Sequence, residues 1–236
     1  MTLRRREFLR CCLATALLGL RGPLLAQAGP KARRIALGLL LDPGTPEGRG
    51  ARLGLDEAER VGALLHAEIS SGPTSDFASI GLLPPPGETK ALFLQAAPAP
   101  QDGSAVPAWN VTSSPAFKRQ ALSRFADRQD LRVSDWHSGL NKFGAEELNV
   151  RFRRRFGQVM DERSWHGWVA VKCAVELALR YPTTGSPKDR ISSLSLDGHK
   201  GMLLRFDPRD RHLVQPVYVI DAQGKLVEQV EPEWKE

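Results

Sequence analysis

The residue types that could do chemistry in this chain are scattered, and their spacing decides little on its own. Asp135, His137 and Ser138 stand close together, as a nucleophile, a base and an orienting acid would. A hydrolytic serine has to be presented on a sharp turn beside its base, and no Gly-x-Ser-x-Gly segment supplies one. The five histidines, His66, His137, His166, His199 and His212, include no pair four residues apart, and no cysteine cluster accompanies them, so the spacing calls for no metal site. Gly48-x-Gly50 lies near a helix start, but the third glycine of a phosphate loop does not follow, and Glu47 would oppose a phosphate. No cofactor motif is present, and the sequence assigns no catalytic residue and no metal ligand.

Binding chemistry is better represented. Trp109 is followed by Asn110, Thr112 and Ser113, an aromatic with hydroxyls and an amide nearby, which makes a binding edge or a loop anchored by its tryptophan. Asp42 and Arg49 flank the C-terminal end of the first expected strand, where open parallel sheets take their ligands. The bland alternative there is a turn-forming aspartate and a solvated arginine. The candidate ligand-binding residues are therefore Asp42, Arg49, Trp109, Thr112 and Ser113. Trp165 and Trp168, three apart on an apolar helix, could line a site for a ring, and residues so placed are more often core.

The elements that must position these residues follow from periodicity. Ile35 to Leu41 is a continuous apolar run ended by Asp42-Pro43-Gly44, the pattern of a strand buried on both faces of a parallel sheet. Glu47 to Leu65 has helical spacing, with Gly54 and Gly62 on its apolar face; their cost in propensity is repaid by close approach to a sheet. Ala67 to Ser70, Phe77 to Leu83 and Ala91 to Ala96 are further strands, the second ended by Pro84-Pro85-Pro86-Gly87, and Pro98 to Pro107 is a loop. Ser114-Pro115 starts a helix. A stripe of Ala145, Leu148, Phe152, Phe156 and Val159 marks another, whose Arg151, Arg153, Arg154 and Arg155 form a solvated face or an acidic-partner dock. Trp165 to Arg180 is apolar nearly all round and should be deeply packed, apart from a strip of Lys172, Glu176 and Arg180. Met202 to Phe206, Gln215 to Ile220 and Lys225 to Val230 read as strands, the last two joined at Ala222-Gln223-Gly224. The pattern predicts an α/β fold: a mainly parallel sheet flanked by helices, with a C-terminal β-hairpin.

The first residues read as a removable leader. Arg5, Arg6, Phe8 and Leu9 form a twin-arginine motif ahead of an apolar stretch too short to span a bilayer, and Ala26-Gln27-Ala28 offers a cleavage site between Ala28 and Gly29. The expected organisation is a signal over 1–28 and one domain over 29–236, working in the periplasm without a stable membrane anchor once the leader is removed. The leader carries five arginines and one glutamate, so the net charge of +6 falls to +2 without it. That leaves no electrostatic case for a nucleic-acid partner. Cys11 and Cys12 also leave, and Cys173 alone cannot close an intramolecular disulfide.

Three blocks carry a resemblance: Arg34 to Glu68; Phe143-Gly144-Ala145 through Trp165-x-x-Trp168-Val169-Ala170-Val171-Lys172; and Asp197-Gly198-His199-Lys200-Gly201, Phe206-Asp207, Pro216-Val217-Tyr218-Val219, Gly224-Lys225. In this order they resemble periplasmic solute-binding proteins of the leucine/isoleucine/valine type that feed ABC importers. With Leu92-Phe93 to Ala97-Pro98, Asn110-Val111 to Ser114-Pro115 and Ala121-Leu122 added, the nearer resemblance is to the ABC-type binding proteins associated with PQQ-dependent alcohol oxidation. It implies a binding protein rather than an enzyme, a small organic solute and an ABC permease as partner. The match passes from Phe125 to the late block within about fifteen residues, so most of a second lobe has no counterpart. Proline cannot donate an N–H to an anion, and Pro84-Pro85-Pro86-Gly87 stands where the family holds a ligand carboxylate. An accessory protein docking on a partner such as a redox enzyme is the alternative implied by that shortening.

Overall fold

The structure is a computed structural model that describes residues 33–73, 75, 77–81, 91–96, 108–180 and 186–233. The leader motif and its cleavage site, the proline cluster at 84–87 and the loop at 98–107 lie outside the described residues.

Strand β1 (Arg33–Leu39) leads through a turn into helix α1 (Pro46–Leu64). Thr45 caps that helix, its hydroxyl accepting from Gly48 N–H at 3.1 Å, and Pro46 sits in the first turn, where its missing N–H costs nothing. Strands β2 (Ala67–Gly72), β3 (Ala78–Gly81), β4 (Leu92–Gln95) and β5 (Trp109–Asn110) complete a parallel five-stranded sheet in the order β2-β1-β3-β4-β5. The strand order switches sides between β1 and β3, the place where doubly wound sheets take their ligands.

Helix α2 (Pro115–Ser123) is capped by Ser114 and followed by β6 (Arg132–Ser134). Helix α3 (Ala145–Phe156) lies between two glycines with positive φ, Gly144 at 82° and Gly157 at 71°. It stops at Phe156, so Val159, expected on its buried stripe, lies beyond it and is 51% exposed. Helix α4 (Glu162–Arg180) begins where Asp161 Oδ1 accepts from Ser164 N–H at 2.7 Å. After the short helix α5 (Pro187–Arg190) come β7 (Ser195–Asp197), β8 (Leu203–Phe206) and β9 (Leu213–Val214), an antiparallel sheet. Strands β10 (Val217–Ile220) and β11 (Leu226–Val230) form the expected hairpin, and β10 also pairs with β6. The α/β fold class therefore stands. Strands β5, β6, β7 and β9 have no counterpart among the expected elements, because two or three residues are too few to establish a period.

One main core joins the parallel sheet, α1, α3 and α4, and a smaller one lies under α2 and the hairpin. The glycines of α1 serve two surfaces. A Cβ on Gly62 would meet Ala67 O of β2 at 2.7 Å, the expected approach to the sheet. Gly54 instead faces Val171 and Trp168 of α4, and a Cβ on Gly50 would lie 1.7 Å from Ser164 O. The expectation of a sheet contact is corrected there: the two helix backbones touch. No described helix is long and apolar enough to cross a membrane.

Candidate functional site

The five candidate ligand residues do not form one site. Asp42 builds its turn: Oδ1 accepts from Gly44 N–H at 2.8 Å, and its carbonyl accepts from Thr45 N–H and Oγ1. Arg49 Nη1 donates back to Gly44 O. Trp109, Thr112 and Ser113 belong to β5 and the residues after it, three strand positions from β1, which separates the two strands by about 14 Å across the sheet. Trp109 is corrected from a loop edge to a buried strand residue, packed edge-on against Phe206 at 5.6 Å. Thr112 is buried with its hydroxyl 3.3 Å from His212 Nδ1. Ser113 is buried too, and its N–H donates to Asp135 Oδ2 at 3.1 Å.

That last bond leads into a charged junction that local sequence did not reveal. Asp135, fully buried, follows β6. Its Oδ2 accepts from Ser113 N–H, from His166 Nε2–H at 2.9 Å and from the Lys118 ammonium at 2.9 Å. Glu162 Oε1 accepts from Asp135 N–H at 2.6 Å and pairs with Lys118 at 3.1 Å. Lys200, also buried, donates to the carbonyls of Asp135 and Pro216 and, at 2.5 Å, to Gln215 Oε1. Its ammonium lies 3.9 Å from the centre of the Trp165 ring, and Gln215 Nε2 donates to Val111 O at 3.0 Å.

The electrostatics follow from burial and sign. Burial alone would raise the Asp135 carboxyl, but Lys118, His166 and Lys200 outweigh it and hold the group well below the usual carboxylate range. For Lys118, burial pulls down while Asp135 and Glu162 win, so its pKa rises. For Lys200, burial wins and the pKa falls to about 7. Asp135, Glu162 and His166 bring three donor atoms within 4.8 Å of one another, a set that could hold a metal ion. The Lys118 ammonium already pairs with both carboxylates, so a cation is supplied by the chain itself. Glu162 and His166 are four apart on α4, the one local sign of this cluster, which a search for histidine pairs passes over.

Beside the junction lies an open cavity of about 410 Å³, walled by β6 and the residues after it, the approach to α4, and the end of β10. Val159, Met160 and Ile220 give it an apolar side, and Trp136 closes its floor at 2% exposure. Arg132, Asp161, Glu162 and Arg163 carry its charges. His137, weighed above with Asp135 and Ser138 as a catalytic group, holds the hairpin turn: its Nε2 lies 2.7 Å from Gly224 O, and its Nδ1 accepts from Gly139 N–H at 3.1 Å.

No family model matches the chain, and no curated protein matches it. Solved structures do. The chain is similar to the branched-chain amino acid transporter substrate-binding protein LivJ from Streptococcus pneumoniae, solved with isoleucine (TM-score 0.57, 12% identity, covering 86% of this chain and 100% of that one). It is similar to the leucine-binding protein LivK from Thermotoga maritima (TM-score 0.57, 10% identity, 85% and 99%). It is also similar to an ABC transporter solute-binding protein from Rhodopseudomonas palustris in complex with 4-hydroxybenzoate (TM-score 0.54, 11% identity, 85% and 98%). At these identities the likeness is one of fold, and the fold is that of solute-binding proteins of ABC transporters.

Proposed function

We propose that this chain is a periplasmic solute-binding component of an ABC transport system, exported through its twin-arginine leader and delivering a small organic molecule to a permease. The observation that carries this reading is the cavity of about 410 Å³ between the α4 approach and the β6–β10 sheet. It lies within the size range of small-molecule sites and is set in a fold shared with solute-binding proteins. The buried charges behind it fix its walls: Glu162 and the segment around Asp135 are tied to α2, and Lys200 ties that segment to the chain entering β10. A rigid wall reduces the ordering cost of binding.

The test is ligand-induced stabilisation of the protein lacking residues 1–28. A panel of amino acids, aromatic acids, alcohols and short-chain acids is scanned by thermal unfolding. A true ligand raises Tm with its concentration in the mass-action form, about 2.7 kcal/mol at a hundredfold excess over Kd. A panel that leaves Tm unmoved refutes the solute-binding reading.

A further inference from the structure

The parallel sheet has two edges, and they are finished differently. At β5 the edge is two residues long and is closed from outside: Asn110 N–H donates to Arg211 O at 2.8 Å, and Leu213 N–H donates to Thr112 O at 3.2 Å. At β2 the edge is six residues long, and β2 pairs with β1 alone among the described residues. Every other edge strand among the described residues is shorter. Arg33 N–H donates to His66 O at 3.2 Å, which fixes the alternation of the β1–β2 ladder. Glu68 and Ser70 turn their backbone groups to β1, and Ala67, Ile69 and Ser71 turn theirs outward. An edge strand is normally blunted by lysine, proline or a bulge. From Ala67 to Gly72 there is no lysine and no proline, and the register with β1 runs without a break. The one charge, Glu68, is already paired with Arg34 of β1 at 3.1 Å.

A row of outward N–H and C=O groups is completed only by another strand, and β2 is complementary to itself. An antiparallel copy centred on Ile69 sets Ile69 against Ile69 and Ala67 against Ser71. Those are the outward-facing residues, so the pairs share about six N–H···O bonds. On the solvent-facing side the same register sets Glu68 against Ser70 of the second copy, twice by symmetry, an acceptor opposite a hydroxyl donor. Glu68 and Ser70 are both exposed. We infer that two copies of this chain join through the β2 edge, antiparallel, so that the sheet of each continues into the other. The exposed Pro73 has no N–H and ends the ladder; in the pair it comes to the end of the other copy's α1, where Leu64 is 80% and Leu65 57% exposed. The surface shares no residue with the cavity, and the inference does not depend on the solute-binding reading.

The experiment is sedimentation equilibrium of the protein lacking residues 1–28, whose residues 32–236 form one compact unit, over about 10 μM to 1 mM. A concentration-dependent dimer is expected. Hydrogen exchange should slow with concentration at the amides of Ile69 and Ser71, and not at those of Glu68 and Ser70, which β1 already holds. Ser71→Pro removes an outward N–H that β1 does not use, and it should abolish the dimer with Tm unchanged. Ser70→Lys sets an ammonium against Glu68 of the second copy and should tighten the dimer about fivefold, whereas Ser70→Glu sets like charges together and should weaken it by about as much. A protein that stays monomeric at the highest concentration overturns the inference. So does a dimer that survives Ser71→Pro, or one whose affinity fails to move in opposite directions with the two Ser70 variants.

Discussion

Helix α4 takes part in two interfaces of opposite character. Along its length it meets α1 through glycine: Gly50 and Gly54 on one side, Gly167 on the other, with backbone against backbone. At its first turns it meets α2, β6 and the approach to β10 through charge: Glu162 and His166 against Lys118 and Asp135, with Lys200 beyond. The first seam is close-packed backbone whose tolerance is measured in tenths of an ångström, with the Arg163–Glu47 pair and the Trp168–Glu57 bond at its edges. The second is held by paired buried ions, whose attraction must offset a large desolvation cost. A helix can be anchored rigidly by shape while its end is positioned by chemistry, and the cavity lies at the end set by chemistry.

The strongest way to break that contrast is to add one methyl group to the glycine seam. A Cβ on Gly167 would lie 1.9 Å from Glu47 O and 2.9 Å from Ala51 N, both backbone atoms that cannot rotate away. Alanine gains about 1 kcal/mol of helix propensity over glycine, but forcing two packed helices apart costs more. Gly167→Ala should destabilise by a net value of about 3 kcal/mol, read as a lower urea midpoint at unchanged m. A midpoint within error of the wild type would mean that the seam is loose.

The charged junction should respond to pH, where the glycine seam should not. Burial lowers Lys200 to about 7 from 10.5. Below pH 7 both folded and unfolded chains carry this proton, so it adds no slope. Between 7 and 10.5 the unfolded chain binds a proton that the folded chain does not, so stability climbs as pH rises. From pH 7 to pH 9 this one group should contribute about 2 kcal/mol. Lys200→Met should flatten that part of the curve, measured as denaturant midpoints across the range. Parallel curves for wild type and variant would show that Lys200 keeps its proton in the folded chain.

The two interfaces also differ in how far the sequence announced them. β1, α1, α4 and the hairpin were legible because each carries a long apolar period, and the glycines of α1 stood out against it. The element those glycines meet is not legible, because periodicity names a buried face and not its partner. The junction gave no such signal. Ser113, Lys118, Asp135, His166, Lys200 and Gln215 come from separate stretches of chain, and a buried charge has no local pattern until the fold supplies its counterion. The burial of Trp109 is illegible for a related reason: β5 is two residues long, and its packing depends on Phe206, far along the chain.

The smallest expected effect sharpens the comparison from the solvent side of the same helix. On α4, Glu176 pairs with Arg180 at 2.7 Å and approaches Lys172 at 3.8 Å, with Arg180 half exposed. The charges and distances resemble those at Asp135, but water screens them, and the order of Glu before Arg at i, i+4 is the favourable one. Glu176→Gln should therefore cost only about 0.3 kcal/mol, and the loss should vanish in high salt, as expected for an exposed pair. The measurement is a pair of urea melts at low and high ionic strength. A salt-independent loss of about 1 kcal/mol or more would place Glu176 with the buried ions of the junction. The division of α4 into a charged end and a merely solvated flank would then be wrong.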